Sequence, residues 1–311
     1  MMFKSNKNAN LPQKSNTCAI VTLFYPGPEI LDHLDKIKPQ VHHIILIINS
    51  CNQPILTALS EKYAKPGQHS VITNQQNMGL AYALNQGLEI AYSLKMEWLL
   101  LLDQDTAVDT EIIANLSGIV ATIPSLSFIL GSNYRSHHDM TVAIRSKGTT
   151  VTYQKKSTVI TSGTLLNLSD THHIGHFKSE YFIDSIDHEY CMRARSLGYE
   201  IYITDKPFMS HDIGIQDQTF LNKLKCLLSH PHKPERKYYT ARNTVVTANK
   251  YFYIFPFWSM RQYARILADI FSTLIFERHK LQIFKFILRG VIDGLQSNFK
   301  PGPLETDHSK P

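Results

Sequence analysis

Short, unbroken apolar runs alternate with amphipathic stretches along the first third of the chain. Cys18–Phe24, His43–Asn49, Ser70–Thr73 and the run Trp98–Leu102 that leads into Asp103 read as strands buried on both faces of a sheet. Between them, Glu29–Lys38, Pro54–Ala64 and a stretch from Gly79 to about Lys95 read as helices. The first carries Ile30, Leu31, Leu34 and Ile37 on one stripe and is stopped by Pro39. In the third, Ala83, Leu84, Leu88 and Ala91 can face the sheet. A β-α-β-α-β-α-β order with short loops predicts a parallel sheet covered by helices, an α/β fold.

After a predicted helix over Asp109–Ile123 the pattern shortens. Ser127–Ser132, Thr141–Ile144, Thr149–Tyr153 and Val159–Thr161 read as strands of more antiparallel character, the last interrupted by Ser162-Gly163-Thr164. That glycine allows either a close approach to a ligand or a plain bulge. Tyr190–Gly198 reads as a short helix closed by glycine, and Glu200–Thr204 as a strand. Phe220–Ser229, Lys237–Tyr251, Phe257–Phe276 and Lys280–Phe299 carry apolar residues at helical spacing. The expected organisation is a disordered polar tail over 1–16 and an α/β domain over 17–215, divided at 123/124. A helical region follows over 216–311.

Ligands of parallel sheets bind beyond the C-terminal strand ends. Thr22–Pro26, Asn49, Asn77 and the pair Asp103/Asp105 each lie at or follow the end of a predicted strand. Carboxylates are too costly to desolvate inside a strand, so Asp103 and Asp105 must emerge where it leaves the sheet. Spaced i, i+2, they can project the same way and form a hard-oxygen site suited to Mg²⁺ or Mn²⁺. A solvated turn is the plainer reading of Asp-x-Asp. Asp184, Asp187 and Glu189 crowd into six residues after an apolar Tyr-Phe-Ile, as at the rim of a site, although Asp184 or Asp187 could simply cap the following helix. His211 follows a strand in the same region, where a ligand role is open to it. Arg193 and Arg242 could contact phosphate, with a structural ion pair as the alternative for Arg242. Neither a GxGxxG nor a GxxxxGK[ST] loop is present.

Composition narrows the classes. The 311 residues are 43% hydrophobic and 19% charged, with net charge +6 dispersed along the chain. This balance suits anionic substrates or an anionic membrane surface and argues against nucleic acid. Cys18, Cys51, Cys191 and Cys226 show no CxxC spacing and read as buried thiols of a reducing compartment. The N-terminus lacks the apolar core of a secretory signal, and no run reaches the roughly 18 apolar residues of a transmembrane helix. The chain is therefore expected in the cytoplasm. The aromatic, basic stretch from Tyr251 to Phe299 suits contact with a membrane surface, with packed helices or a homo-oligomer contact as alternatives.

Seven pieces in order resemble one family: Val21–Pro26, Asn77–Gly87, Leu102–Thr106, Ser162-Gly163-Thr164, Phe182–Arg193, His211–Gly214 and Tyr238–Asn243. The chain resembles the inverting family-2 glycosyltransferases of GT-A fold, in their bacterial rhamnosyltransferase branch, over roughly residues 18–245. That likeness implies a Rossmann-like nucleotide-binding half, a mixed central sheet and a helical C-terminal appendage. It implies a metal-dependent transfer of L-rhamnose from dTDP-L-rhamnose to a lipid-linked, lipopolysaccharide or capsule saccharide. Another nucleotide sugar, UDP- or GDP-linked, or a non-catalytic scaffold, are the alternatives. Residue by residue, it implies that Asp105 binds Mg²⁺ or Mn²⁺ with help from His211, that Asp103 faces the nucleoside, and that Asp187 is the general base. Glu189 is the alternative base, because Ile186 replaces the acid that usually precedes Asp187. Thr22, Asn49, Asn77, Arg193 and Arg242 are the further expected donor contacts. Ile48 stands where an acid usually holds the nucleobase.

Overall fold

The computed structural model describes residues 10–64, 69–136, 140, 142–144, 152–211, 234–277, 279–299 and 302–306. They divide into two compact units, Met1–Phe177 with Tyr190–Asp212, and Lys178–Glu189 with Ile213–Pro311.

The first unit is built on a nine-stranded mixed sheet. The strands are β1 (Thr17–Phe24), β2 (His43–Ser50), β3 (Ser70–Thr73), β4 (Trp98–Asp103), β5 (Ala107–Val108), β6 (Phe128–Arg135), β7 (Tyr153–Lys155), β8 (Thr164–Asn167) and β9 (Glu200–Ser210). Their order is β3-β2-β1-β4-β8-β6-β9-β5, with β7 paired to β9. β1 to β4 run parallel, and β8 turns antiparallel against both β4 and β6. The interiors of β1, β2 and β4 are almost wholly buried, because helices cover both faces. Alternate residues Ala19, Val21, Ile44, Leu46, Leu100 and Leu102 join one core with α1 (Ile30–Ile37) and α4 (Ile112–Val120). On the other face α3 (Leu80–Ser93) lies so close to β1 that a Cβ at Gly87 would be 2.6 Å from Ile20. α2 (Gln53–Tyr63) and α5 (Leu168–Ile174) complete the cover.

The expected parallel half is present, and its register fixes the site. Thr22 pairs with Asp103, and Leu23 with Ile48, so the polar strand ends share one edge. Ile48 itself is a fully buried core residue.

The second half departs in detail from its expected elements. Val159–Thr161 is not a strand; the strand begins at Thr164, after the turn at Gly163. Gly163 adopts φ +74°, its N–H donates to Leu101 O at 2.8 Å, and a Cβ there would strike Met209. Of the expected strand Thr141–Ile144, Val142 makes a single antiparallel bridge to Arg135, and Thr141 lies outside the described residues. Of Thr149–Tyr153, residues 149–151 lie outside them too, and the strand observed here is Tyr153–Lys155. β9 runs on to Ser210 instead of stopping at Thr204. Residues 1–9, Phe220–Ser229 and Cys226 also lie outside the described residues. Within the span read as a tail, Lys14–Asn16 form a 3-10 turn, with Asn16 buried and donating to Leu11 O. Cys18 and Cys191 are buried and Cys51 is half-buried; burial pushes the Cys18 thiol up to about 12, so it stays protonated.

The second unit is helical. It holds α7 (Pro234–Tyr251), α8 (Pro256–Phe276), α9 (Lys280–Leu295) and α10 (Pro303–Thr306). α7 is its centre, with Tyr238, Tyr239, Ala241 and Val245 all buried. Gly290 and Gly294 let α9 approach it closely: a Cβ at Gly294 would lie 2.8 Å from Arg242 O. α6 (Ile186–Ser196) begins four residues earlier than the sequence suggests, so Asp187 and Glu189 belong to its first turn. There the helix N-terminus favours negative charge.

Candidate active site

The first unit gathers three side chains where β4 leaves the sheet. Asp103, Asp105 and His211 each offer a ligand atom, and those atoms lie within 4.8 Å of one another. Asp103 is half-buried, Asp105 exposed and His211 buried. His211 is held in place by its backbone, whose N–H donates to Arg135 O at 3.0 Å, and by Tyr134, whose ring meets it edge-on. Its Nδ1 lies 3.0 Å from Thr106 Oγ1 and 3.3 Å from Asp105 Oδ1.

A line of hydroxyls connects the two sides of this cluster. The Asp103 N–H donates to Ser162 Oγ at 3.0 Å, and Ser162 shares a 2.6 Å hydrogen bond with Thr106. Ser162 and Thr106 thus fix the cluster's geometry, a role the sequence does not announce. Their motifs are visible in it, but a hydroxyl's partner 56 residues away is not. Gln104 turns the other way. Its Oε1 accepts the Phe24 N–H at 2.7 Å, and its carbonyl lies 3.0 Å from His33 Nδ1. The middle residue of Asp-Gln-Asp therefore braces β1 and α1 while its neighbours face the site.

Asn49 and Asn77 are occupied by the loop ahead of α3. Asn49 Nδ2 donates to Gly79 O at 3.1 Å, and its Oδ1 accepts from Asn74 at 2.8 Å and from the Met78 N–H at 3.4 Å. Asn77 Oδ1 accepts the Gly79 N–H at 3.0 Å, closing the turn whose glycine adopts φ +83°. Both asparagines therefore shape the β3–α3 loop. Arg193 donates to Ile174 O at 2.6 Å and lies over the Tyr190 ring.

In the second unit the acids of residues 184–189 separate into different roles. Asp184 accepts from Arg236 Nε and Nη2, at 2.9 and 2.6 Å, and from the Thr240 hydroxyl at 2.9 Å. Glu189 is 1% exposed, and its Oε1 accepts from Lys250 Nζ at 3.0 Å and Tyr251 OH at 3.1 Å. Glu189 is thereby tied into the helical unit by hydrogen bonds from Lys250 and Tyr251. Asp187 is half-buried, and its carboxylate makes a local hydrogen bond, accepting the His188 N–H at 2.7 Å.

The chain before Asp187 is unusual. Phe182, Asp184 and Ser185 all have positive φ, 53°, 64° and 59°, which side chains other than glycine rarely adopt. Asn243 Nδ2 reaches the carbonyls of Tyr181, Ile183 and Asp184 at 2.8, 2.8 and 3.0 Å and holds this shape. Arg242 is 0% exposed, donates to Glu180 O at 2.8 Å and to Asn243 Oδ1 at 3.0 Å, and lies over three aromatic rings. Arg242, expected to meet the donor phosphates, is completely buried within the helical unit and spends these hydrogen bonds on Glu180 and Asn243.

Residues 19–177, about half of the chain, match the family described as Glycosyl transferase family 2. The chain is similar to a dTDP-rhamnosyl transferase of Shigella flexneri, RfbF, at 26% identity over 91% of this chain and 96% of that one. Among solved structures, it is similar to S. aureus TarS 1-349, with TM-score 0.52 and 14% identity over 91% of this chain and 73% of that one. It is also similar to GalNAc-T7 with UDP, GalNAc and Mn²⁺, with TM-score 0.53 and 14% identity, covering 71% of this chain and 48% of that one. At such identities the structural likeness concerns the fold, which is that of GT-A transferases.

Proposed function

The chain belongs to glycosyl transferase family 2, and we propose that it transfers L-rhamnose from dTDP-L-rhamnose to a lipid-linked, lipopolysaccharide or capsule saccharide, with inversion and with a divalent cation. That it is a glycosyltransferase follows from the family. The rhamnosyl donor is supported by the 26% identity to RfbF over nearly the full length of both chains. The observation that carries the mechanism is the convergence of Asp103, Asp105 and His211 at the strand ends.

The donor set fits the cation. Two carboxylates and an imidazole offer hard oxygen and borderline nitrogen, which suits Mn²⁺ and accommodates Mg²⁺. When bound, the ion neutralises the charge that develops on the departing diphosphate. Asp105, the most exposed of the three, and His211 are the residues that hold it. Asp103, next to Thr22 in the sheet, faces the nucleoside. With Ile48 buried in the core, the usual nucleobase acid has no counterpart at that position. Asn49 and Asn77 then serve the donor by shaping the β3–α3 loop, and Arg193 serves it by holding its own local turn.

Transfer is a single displacement. The acceptor oxygen forms a bond to the anomeric carbon as that carbon's bond to the diphosphate oxygen breaks. The hydroxyl proton passes to the Asp187 carboxylate, and the nucleoside diphosphate departs. Asp187 can accept that proton from the first turn of α6 because Arg236, Lys250 and Asn243 are committed to its neighbours.

A thermal-shift panel of dTDP-, UDP- and GDP-sugars with Mn²⁺ tests the donor. The expected result is a rise in melting temperature with dTDP-rhamnose that exceeds the others. A larger shift with a UDP- or GDP-hexose would replace the rhamnosyl reading, and no shift with any nucleotide would favour a scaffold.

A further inference from the structure

Helix α8 turns apolar residues outward as well as inward. Its inward side carries Trp258, Ile266 and Ile270, which pack into the unit, together with Ser259, Gln262, Ser272 and Thr273, all four at most 2% exposed. The hydroxyls of Ser259, Ser272 and Thr273 have no hydrogen-bond partner among the described residues. Its outward side carries Phe257, Met260, Leu267, Phe271 and Leu274, spaced as one face of a helix and between 45% and 86% exposed. The turn just before it adds Tyr253, at 95% exposed. In water the outward face of such a helix is normally polar. A helix with an apolar outward face is matched to an apolar medium.

Charge identifies that medium. The one acid of α8, Asp269, turns inward to Lys237 Nζ at 2.5 Å. The one acid of α9, Asp293, accepts the Tyr238 hydroxyl at 2.8 Å. Arg261, Lys280 and Lys285 remain exposed beside the apolar residues. No described residue of these two helices turns a carboxylate outward except through the Arg289–Asp293 pair. A second copy of the chain would bring the same cationic face against itself, which like-charge repulsion disfavours. An anionic lipid surface supplies both the apolar layer and the opposite charge.

We propose that the outward face of α8, with the Tyr253 turn and the basic residues of α8 and α9, docks on an anionic membrane surface. No described helix is long and apolar enough to cross a membrane, so the contact is interfacial. The proposal stands on the surface chemistry of this unit and does not depend on the donor assignment.

The test is co-sedimentation of the full chain with phosphatidylcholine vesicles, with and without roughly 30% phosphatidylglycerol, a content that sets a negative surface potential. Wild-type protein is expected to pellet with the anionic vesicles at least about tenfold more than with neutral ones, and to be released by salt. The double variant Phe257→Ser/Leu267→Ser should lose binding to both vesicle types, with an unchanged circular dichroism spectrum. The variant Arg261→Glu/Lys285→Glu, which keeps the apolar face, should lose only the anionic preference. Wild-type protein that stays in the supernatant overturns the proposal, as does equal pelleting of wild type and both variants. A dimer by light scattering that Leu267→Ser dissociates, with no vesicle binding, overturns it in favour of self-association.

Discussion

At the end of β4, Asp103 and Asp105 converge with a histidine that lies 106 residues beyond Asp105 in the chain, and the three form a cluster of potential ligands. Around the start of α6 three acids stand within six residues, yet Asp184 and Glu189 turn to Arg236 and Lys250, while Asp187 makes a local hydrogen bond with the His188 N–H. The two acid groups read alike in the sequence. The difference lies in what neutralises them. Carboxylates that meet cationic side chains of the same unit are tied into the fold, whereas Asp103 and Asp105 lie within reach of a common ligand together with an imidazole.

The comparison breaks most visibly at the first group. Asp105→Ala should lower transfer by at least about 1,000-fold, because neutralising the leaving group is worth several kcal/mol. A loss under tenfold in a steady-state assay would mean that the strand-end cluster is a solvated turn.

The second group predicts a split. Asp187→Asn should lower kcat by about 100-fold or more with donor KM little changed, which is the range for a lost general base. Glu189→Gln should leave activity per folded molecule within a few-fold, and should cost about 1–2 kcal/mol in urea unfolding, since Lys250 is 45% exposed on its side chain and can rehydrate. If Glu189→Gln is the inactive variant and Asp187→Asn the active one, the assignment reverses.

Arg242→Met sharpens the boundary between fold and site. It leaves Glu180 O and Asn243 Oδ1 without their donor, at a cost of about 2–4 kcal/mol. Donor KM should be unchanged in the folded fraction. A raised KM at unchanged stability would return Arg242 to the phosphates.

Much of the first group is legible in the amino-acid pattern alone. Periodicity places β1 to β4, and parallel topology then requires Thr22, Asn49, Asn77 and Asp103 to share an edge. The inward use of Asn49 and Asn77 is not legible, because a side chain that caps its own loop and one that meets a ligand look identical in sequence. The strand at Thr164 is hidden because Gly163 masks its start: the positive-φ turn separates an irregular approach at Val159–Thr161 from the true ladder. The hydrogen bonds of Arg242 and Glu189 inside the helical unit are hidden for a shared reason. Their partners, Glu180 and Lys250, lie 62 and 61 residues away, and burial of a charge is invisible until the fold brings its partner.

The smallest effect concerns a carboxyl outside both groups. Burial raises Asp170 from 3.8 to about 6, with a hydrogen bond from Tyr199 opposing the shift. The unfolded chain releases this proton near pH 4 while the folded chain holds it to about pH 6. Asp170 therefore supports the fold fully below the lower value, and that support is lost as pH rises through the higher one. Asp170→Asn should be more stable than wild type above pH 6, by on the order of 1–2 kcal/mol after allowance for solvent screening, and equal to it below pH 4. Thermal melts across that range would show a constant difference if Asp170 does not titrate there.

The central claim is that Asp105 and His211 hold a divalent ion that the donor diphosphate shares. Electron paramagnetic resonance of free Mn²⁺, titrated with protein and dTDP, measures that ion directly. The account predicts one Mn²⁺ bound per wild-type chain when dTDP is present, and none beyond the dTDP-only control in Asp105→Ala or His211→Ala. Mn²⁺ uptake that is the same in wild type and both variants would contradict it.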